Sequence, residues 1–190
     1  MVWPALAPFL RNYPDIKVEL VTDYVLTDIV AERFDAGVRL GGIVAKDMVA
    51  VPIGPPMRMA VVGAPSYFAT RTKPRVPQDL VSHTCINHRL PTLGGLYAWE
   101  FDEGGRETRV RVEGQLTFND AAMLLRAALD GFGLAYLPEG MVMGHVDEGR
   151  LVRLLERWCD EFPGYHLYYP SRRQHSAAFG LLVQALRYGA

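Results

Sequence analysis

Residues 115–138 read QLTFNDAAMLLRAALDGFGLAYLP. A strand ends at Phe118, and Asn119 stands where a helix needs a side-chain oxygen to accept a first-turn N–H. Met123, Leu124, Ala127 and Ala128 then recur at helical spacing and form one apolar stripe. Gly131 suits the left-handed residue that follows a helix, and LAYLP is the next strand. Strand, helix and apolar strand in this order predict a βαβ unit.

Outward from this unit, strands and helices keep alternating. Upstream, AGVRL (36–40), MAVVGAPSY (59–67) and TCINH (84–88) read as strands, and PQDL (77–80) opens a helical turn. Residues 97–113 predict a hairpin that turns at Asp102-Glu103-Gly104-Gly105 and returns with Thr108, Val110 and Val112 on one face. Near the start, Trp3, Leu6, Phe9 and Leu10 mark a helix over 3–12 with Pro4 in its first turn. That stripe reads most simply as core, with a face toward a second subunit as the alternative for part of it. Residues 16–22 (IKVELVT) alternate like a strand, and Thr27 is placed to cap a helix through Phe34, with Asp28 near its positive end. Downstream, GYHLYYP (164–170) is a strand, and Phe179, Leu182, Val183 and Leu186 predict the buried stripe of a helix over 174–188. This alternation predicts α/β layering with mostly parallel strands. No internal repeat interrupts it.

Composition narrows the function classes. The formal net charge is −1 and no Lys/Arg block occurs, so the footprint that phosphate backbones require is missing from these residues. Cys85 and Cys159 are the two cysteines, too few for a disulfide framework or a zinc pattern. The opening MVWPALAPFLRNYPD lacks the basic and apolar regions of a signal peptide, and no apolar run reaches the ~20 residues that span a bilayer. A cytoplasmic protein is expected.

Ligands of open α/β sheets bind beyond the carboxyl ends of strands. That rule selects Thr22-Asp23, Arg39 to Gly42, Asn87 to Arg89, and Phe118 to Asp120. Asn119 has a structural reading as a helix cap and a functional one, in which its amide and the helix N-terminus meet a ligand carboxylate or hydroxyl. Asp120 opposes an anion there unless it turns away. Arg39 either pairs with Asp35 or Glu32 or offers its guanidinium to a carboxylate. His83, Cys85 and His88 resemble a metal motif, but on a strand position 88 points away from 83 and 85, so no metal is expected. Cys85 reads as a small buried hydrophobe. Gly131-x-Gly133 follows a helix instead of opening one, so it is not a dinucleotide fingerprint. No catalytic motif occurs, and neither an enzyme nor a cofactor is expected.

These segments together resemble the effector domain of LysR-type transcription regulators. FLRNYPDIKVEL (9–20), LTDIVAERFDAGVRLG (26–41), VVGAPSYFATRTKPRVPQDLVSHTCI (61–86), FNDAAMLLRAALDGFGLAYLPEGMV (118–142), GRLVRLLERW (149–158) and YYPSRRQHSAAFGLLVQAL (168–186) match the family's segments in order. Arg33 departs, standing where the family often has glycine. The family's winged helix-turn-helix, linker helix and first effector-domain strand have no counterpart in these residues.

The resemblance implies an α/β fold of two Rossmann-like lobes, like the type II periplasmic binding proteins. Regulatory lobe I would be 1–63 with 165–190, and regulatory lobe II 64–164. Cleft positions carried over are Arg39, Gly41, Asn87, His88, Asn119 and Pro138. The implied ligand is a small effector, an organic acid or amino-acid-like metabolite. The implied partners are further copies in a homodimer or tetramer, with DNA reached only through the N-terminal domain and no membrane. A transporter's solute-binding protein shares the fold and is the alternative. A small enzyme using cleft carboxylates, and a truncated product that poisons intact regulators, are further rivals.

Overall fold

The structure is a computed structural model that describes residues 2–22, 28–41, 47–90, 95–171 and 176–189. The chain folds as two compact units, Met1–Pro56 with Phe162–Ala190, and Met57–Glu161. Among the described residues no helix is long and apolar enough to cross a membrane.

The first unit begins with α1 (Trp3–Asn12), whose Leu6 and Phe9 are buried while Trp3 remains 64% exposed. Its sheet consists of β1 (Gly37–Leu40), β2 (Met48–Pro52) and β12 (Tyr165–Pro170), ordered β1-β12-β2. Both pairings are antiparallel, with Val38 and Val51 opposite Leu167 on its two sides. Helix α4 (Ala177–Leu186) covers this sheet and packs beside α1. Ser176 caps α4 by accepting the Phe179 N–H. Val51, Leu167, Val183 and Leu186 form the core, with Phe179 and Leu182 against it. Of the expected helix 174–188, residues 174 and 175 lie outside the described residues.

Two expectations for this unit are corrected. Residues 16–22 form no ladder, because a strand needs a neighbouring backbone and none of the described residues supplies one. Residues 28–34 form turns and not a helix. Asp28 closes them by accepting the N–H groups of Val30 and Ala31, and Thr27 and Asp23 lie outside the described residues. Arg33 adopts φ 61, the left-handed region. That conformation costs a side chain about 1–2 kcal/mol and costs glycine nothing, which accounts for the family's glycine there.

The second unit is built on β3 (Met57–Gly63), paired antiparallel with β9 (Ala135–Pro138) and β10 (Val152–Leu154). Strand β4 (Asn87–Leu90) runs parallel to β8 (Thr117–Phe118), and Cys85 bridges in parallel to Leu134. The predicted βαβ unit is therefore present: β8, then α2 (Ala121–Leu129), then β9, with the 85–90 segment between its two strands. Short β5 (Gly95–Leu96) pairs with β4, and β6 (Trp99–Asp102) with β7 (Glu107–Val110) forms the predicted hairpin. Helix α3 (Glu139–Asp147) follows β9 directly, and β11 (Glu161–Phe162) lies where the chain passes between units.

Strands β3 and β9 are apolar on both faces because both are covered. Ala60, Val62, Ala135 and Leu137 meet Leu124, Ala127 and Ala128 of α2. Val61, Leu134 and Tyr136 face Trp99, Phe101 and Val110 of the hairpin. The Tyr136 ring stacks on Trp99 at 5.4 Å, and its hydroxyl donates to the Glu100 carbonyl. Two expectations change here. The strand expected over 59–67 ends at Gly63, because Pro65 starts a 3-10 turn, Pro65–Ala69. Most ladders are antiparallel, not parallel; alternation of elements predicts layers but leaves strand direction open.

Candidate functional site

In the second unit the parallel register assembles the site. Asn87 lies opposite Thr117 and His88 opposite Phe118, so β4 and β8 begin side by side; the strand expected to end at His88 instead starts at Asn87 and runs on to Leu90. That brings His88 against Asn119, the first residue beyond β8. Pro138 closes β9 at the same end of the sheet, since β9 also runs parallel to the 85–90 segment. Asn87 is buried at 4% exposure, whereas Asn119 is exposed.

The helix cap falls one residue later than expected. Asp120, in extended conformation, is the N-cap of α2, and its Oδ1 accepts the Met123 N–H at 3.0 Å. This corrects the assignment of Asn119 as the cap and leaves the Asn119 amide uncommitted to the helix. It also answers the difficulty posed by Asp120, whose carboxylate is turned onto the first turn of α2. An Asp at the cap was readable from the Asn-Asp pair, but either residue type satisfies a helix N-terminus.

Burial favours the neutral form of His88. Burial lowers its pKa, against the Asn119 carbonyl and the Asp120 charge, which both raise it. Its Nε2 is buried with no hydrogen-bond partner among the described residues. A carboxamide, an imidazole and a second carboxamide can recognise polar atoms by neutral hydrogen bonds. Such a set is suited to binding.

In the first unit, Arg39 and Gly41 lie at the end of β1. The Arg39 guanidinium lies 5.2 Å from the centre of the Tyr168 ring, a cation–π contact. Gly41 donates its N–H to the Gly164 carbonyl at 2.7 Å. A Cβ at Gly41 would meet Pro163 Cβ at 2.6 Å, so only glycine permits this approach. Gly42 lies outside the described residues. Arg39 and Gly41 thus belong to one unit, and Asn87, His88, Asn119 and Pro138 to the other.

The remaining motif residues have structural partners. His83 Nδ1 lies 3.2 Å from the Tyr67 hydroxyl, which accepts the Thr84 N–H at 2.9 Å. Burial pushes the Cys85 thiol up to about 12 and the Cys159 thiol up to about 11. Among the described residues, no three His, Cys, Asp or Glu side chains are grouped to hold a metal.

A family model described as the LysR substrate binding domain matches residues 1–190. A protein of Pseudomonas aeruginosa is 60% identical over 188 residues, covering 99% of this chain and 61% of its own length. The HTH-type transcriptional regulator PgrR of Escherichia coli K12 is 49% identical over 185 residues, covering 97% of this chain and 62% of its own. The chain thus spans less than two thirds of these relatives. Among solved structures, the regulatory domain of AphB from Vibrio vulnificus has a TM-score of 0.83 at 22% identity, covering 98% of this chain and 90% of that one. The regulatory domain of CrgA from Neisseria meningitidis has a TM-score of 0.80 at 22% identity, with the same two coverages. These neighbours are LysR-type regulatory domains, and they establish the two-lobed, periplasmic-binding-protein-like α/β fold. The family match over the whole chain shows that this chain belongs to the LysR substrate binding domain family of transcriptional regulators.

Proposed function

We propose that the chain is the effector-binding regulatory domain of a bacterial LysR-type regulator, in which a small molecule bound to this domain alters DNA binding through the oligomer. The observation that carries this reading is the family match over residues 1–190. LysR-type regulators bind small-molecule effectors, oligomerise and bind DNA through an N-terminal domain. The proposed lobes are 1–63 with 165–190 and 64–164; the two compact units support this division, with residues 57–63 falling in the second unit and 162–164 in the first. The proposed contacts are Arg39 and Gly41 from lobe I, and Asn87, His88, Asn119 and Pro138 from lobe II. The effector class is an organic acid or amino-acid-like metabolite: Arg39 supplies the cation for its carboxylate, and the neutral lobe II groups take its other polar atoms. The working form is a cytoplasmic homodimer or tetramer.

An effector shifts such a domain only by binding one lobe arrangement more tightly than another. The test is a thermal-shift screen with amino acids, dipeptides, and hydroxy and keto acids, followed by calorimetry on the hits. Asn119→Ala should weaken a hit by about tenfold, equivalent to ~1.4 kcal/mol. Unchanged affinity in the folded variant excludes Asn119 from the contacts. Chemical turnover of a hit would overturn the regulatory reading.

A further inference from the structure

We propose that lobe II carries a second ligand site, in the concavity below the 72–75 loop, for a small oxyanion: a carboxylate or a phosphate group. Thr72, Lys73, Pro74, Arg75, Asp79, Ser82 and His83 line a space of about 580 Å³, and none of the proposed effector contacts is among them. Two cations, Lys73 and Arg75, and one carboxylate, Asp79, line it, and Lys73 Nζ also lies 5.9 Å from the centre of the Phe68 ring. That carboxylate is already engaged, because Asp79 Oδ2 accepts the N–H groups of Arg75 at 2.8 Å and Val76 at 3.1 Å. These bonds also hold the Asp79 pKa below its ordinary value.

His83 supplies a donor of fixed direction. The Thr84 N–H donates to the Tyr67 oxygen, which leaves the Tyr67 hydrogen able to donate to His83 Nδ1. With Nδ1 accepting, neutral His83 carries its proton on Nε2, and the residue lines the concavity. The neutral form is favoured because burial lowers the His83 pKa; the Asp79 charge opposes this and the Arg71 charge adds to it. Arg71 itself is turned aside, its guanidinium 4.6 Å from the centre of the Tyr67 ring. A neutral N–H donor beside a two-cation rim suits an oxyanion, whose oxygens accept from all three groups. Carboxylates and phosphate groups share this chemistry, and the experiment separates them.

The test follows the ring C–H resonance of His83 by two-dimensional NMR on the full chain, with its assignment fixed by His83→Gln. Sodium phosphate and sodium citrate are titrated separately, with sodium chloride holding ionic strength constant. The expected result is a saturable shift with at least one of them, half-complete on the order of 1 mM, the affinity of a few charge-assisted bonds. The ligand that produces it identifies the source. In Lys73→Ala/Arg75→Ala, both side chains being exposed, the midpoint should rise by about tenfold or more. It should stay unchanged in Arg126→Ala/Arg150→Ala, which removes exposed cations elsewhere in the lobe. Failure to saturate with either anion overturns the proposal. So does a midpoint that is the same in both double variants.

Discussion

Replacing Asp120 and Asn119 one at a time separates the cap from the proposed ligand contact. Asp120→Ala removes the oxygen that accepts the Met123 N–H at 3.0 Å. Loss of a helix cap costs about 1 kcal/mol, and loss of a negative charge at a helix N-terminus a further ~0.3–1 kcal/mol. The sum is about 1–2 kcal/mol, which for a chain of this size lowers Tm by roughly 3–8 °C. Asn119 is exposed and does not cap α2, so Asn119→Ala should stay within about 0.5 kcal/mol of the parent. Urea unfolding followed by far-ultraviolet circular dichroism, with equal m-values, gives both differences. If Asn119→Ala loses as much stability as Asp120→Ala, the cap assignment is wrong. The proposed role of Asn119 would then have no independent support from its uncommitted amide.

Other consequences are equally direct. His83 and His88 have pKa values lowered by burial, so the unfolded chain takes up their protons first as pH falls. Their contribution to stability is complete above the ordinary histidine value of 6.5 and is lost from there down through the lowered folded values; His83→Gln should flatten this slope in urea titrations run between pH 7.5 and 5. Leu124→Ala, at a position 1% exposed between α2 and the sheet, should cost about 2–5 kcal/mol by the same denaturation assay. Arg33→Gly relieves a left-handed residue at φ 61 and should add about 0.5–1 kcal/mol, read as a higher urea midpoint. Cys85 and Cys159, buried and held as thiols, should resist Ellman's reagent at pH 8 in the folded chain and react together in urea; fast native labelling would contradict their burial.

The match between reading and structure is uneven for physical reasons. The βαβ unit was legible because Leu124, Ala127 and Ala128 carry helical spacing in a short stretch and pack against β3 and β9, although Met123, assigned to the same stripe, is 49% exposed. The hairpin was legible from its alternation and its Asp-Glu-Gly-Gly turn, where Asp102 accepts the Gly105 N–H. Helix α3 carried no such signal. Gly140 and Gly144 interrupt it, and among its residues Val142 is the one fully buried anchor. The IKVELVT alternation held only in part as a local pattern: Ile16 and Val18 are partly buried and Lys17 and Glu19 exposed, but Leu20, expected inward, is 60% exposed. Alternation sets which face a side chain takes, but a ladder needs a second backbone.

For the candidate site, the rule about strand ends chose Arg39, Asn87, His88 and Asn119 from sequence, and the family resemblance added Gly41 and Pro138. Sequence could not show that His88 and Asn119 meet, since their contact depends on β4 lying beside β8 with His88 opposite Phe118. Nor could it choose between Asn119 and Asp120 as the cap, because both side chains accept hydrogen bonds and only the extended backbone at Asp120 decides.

By itself, then, the amino-acid order determined the family, the alternating elements and the apolar faces, all of which depend on residues within a few turns of each other. Tertiary structure alone decided strand direction, the burial that lowers the His88 pKa, and the contact of His83 with Tyr67. Those depend on burial and on partners distant in the chain, such as Tyr67 for His83, that local spacing does not record.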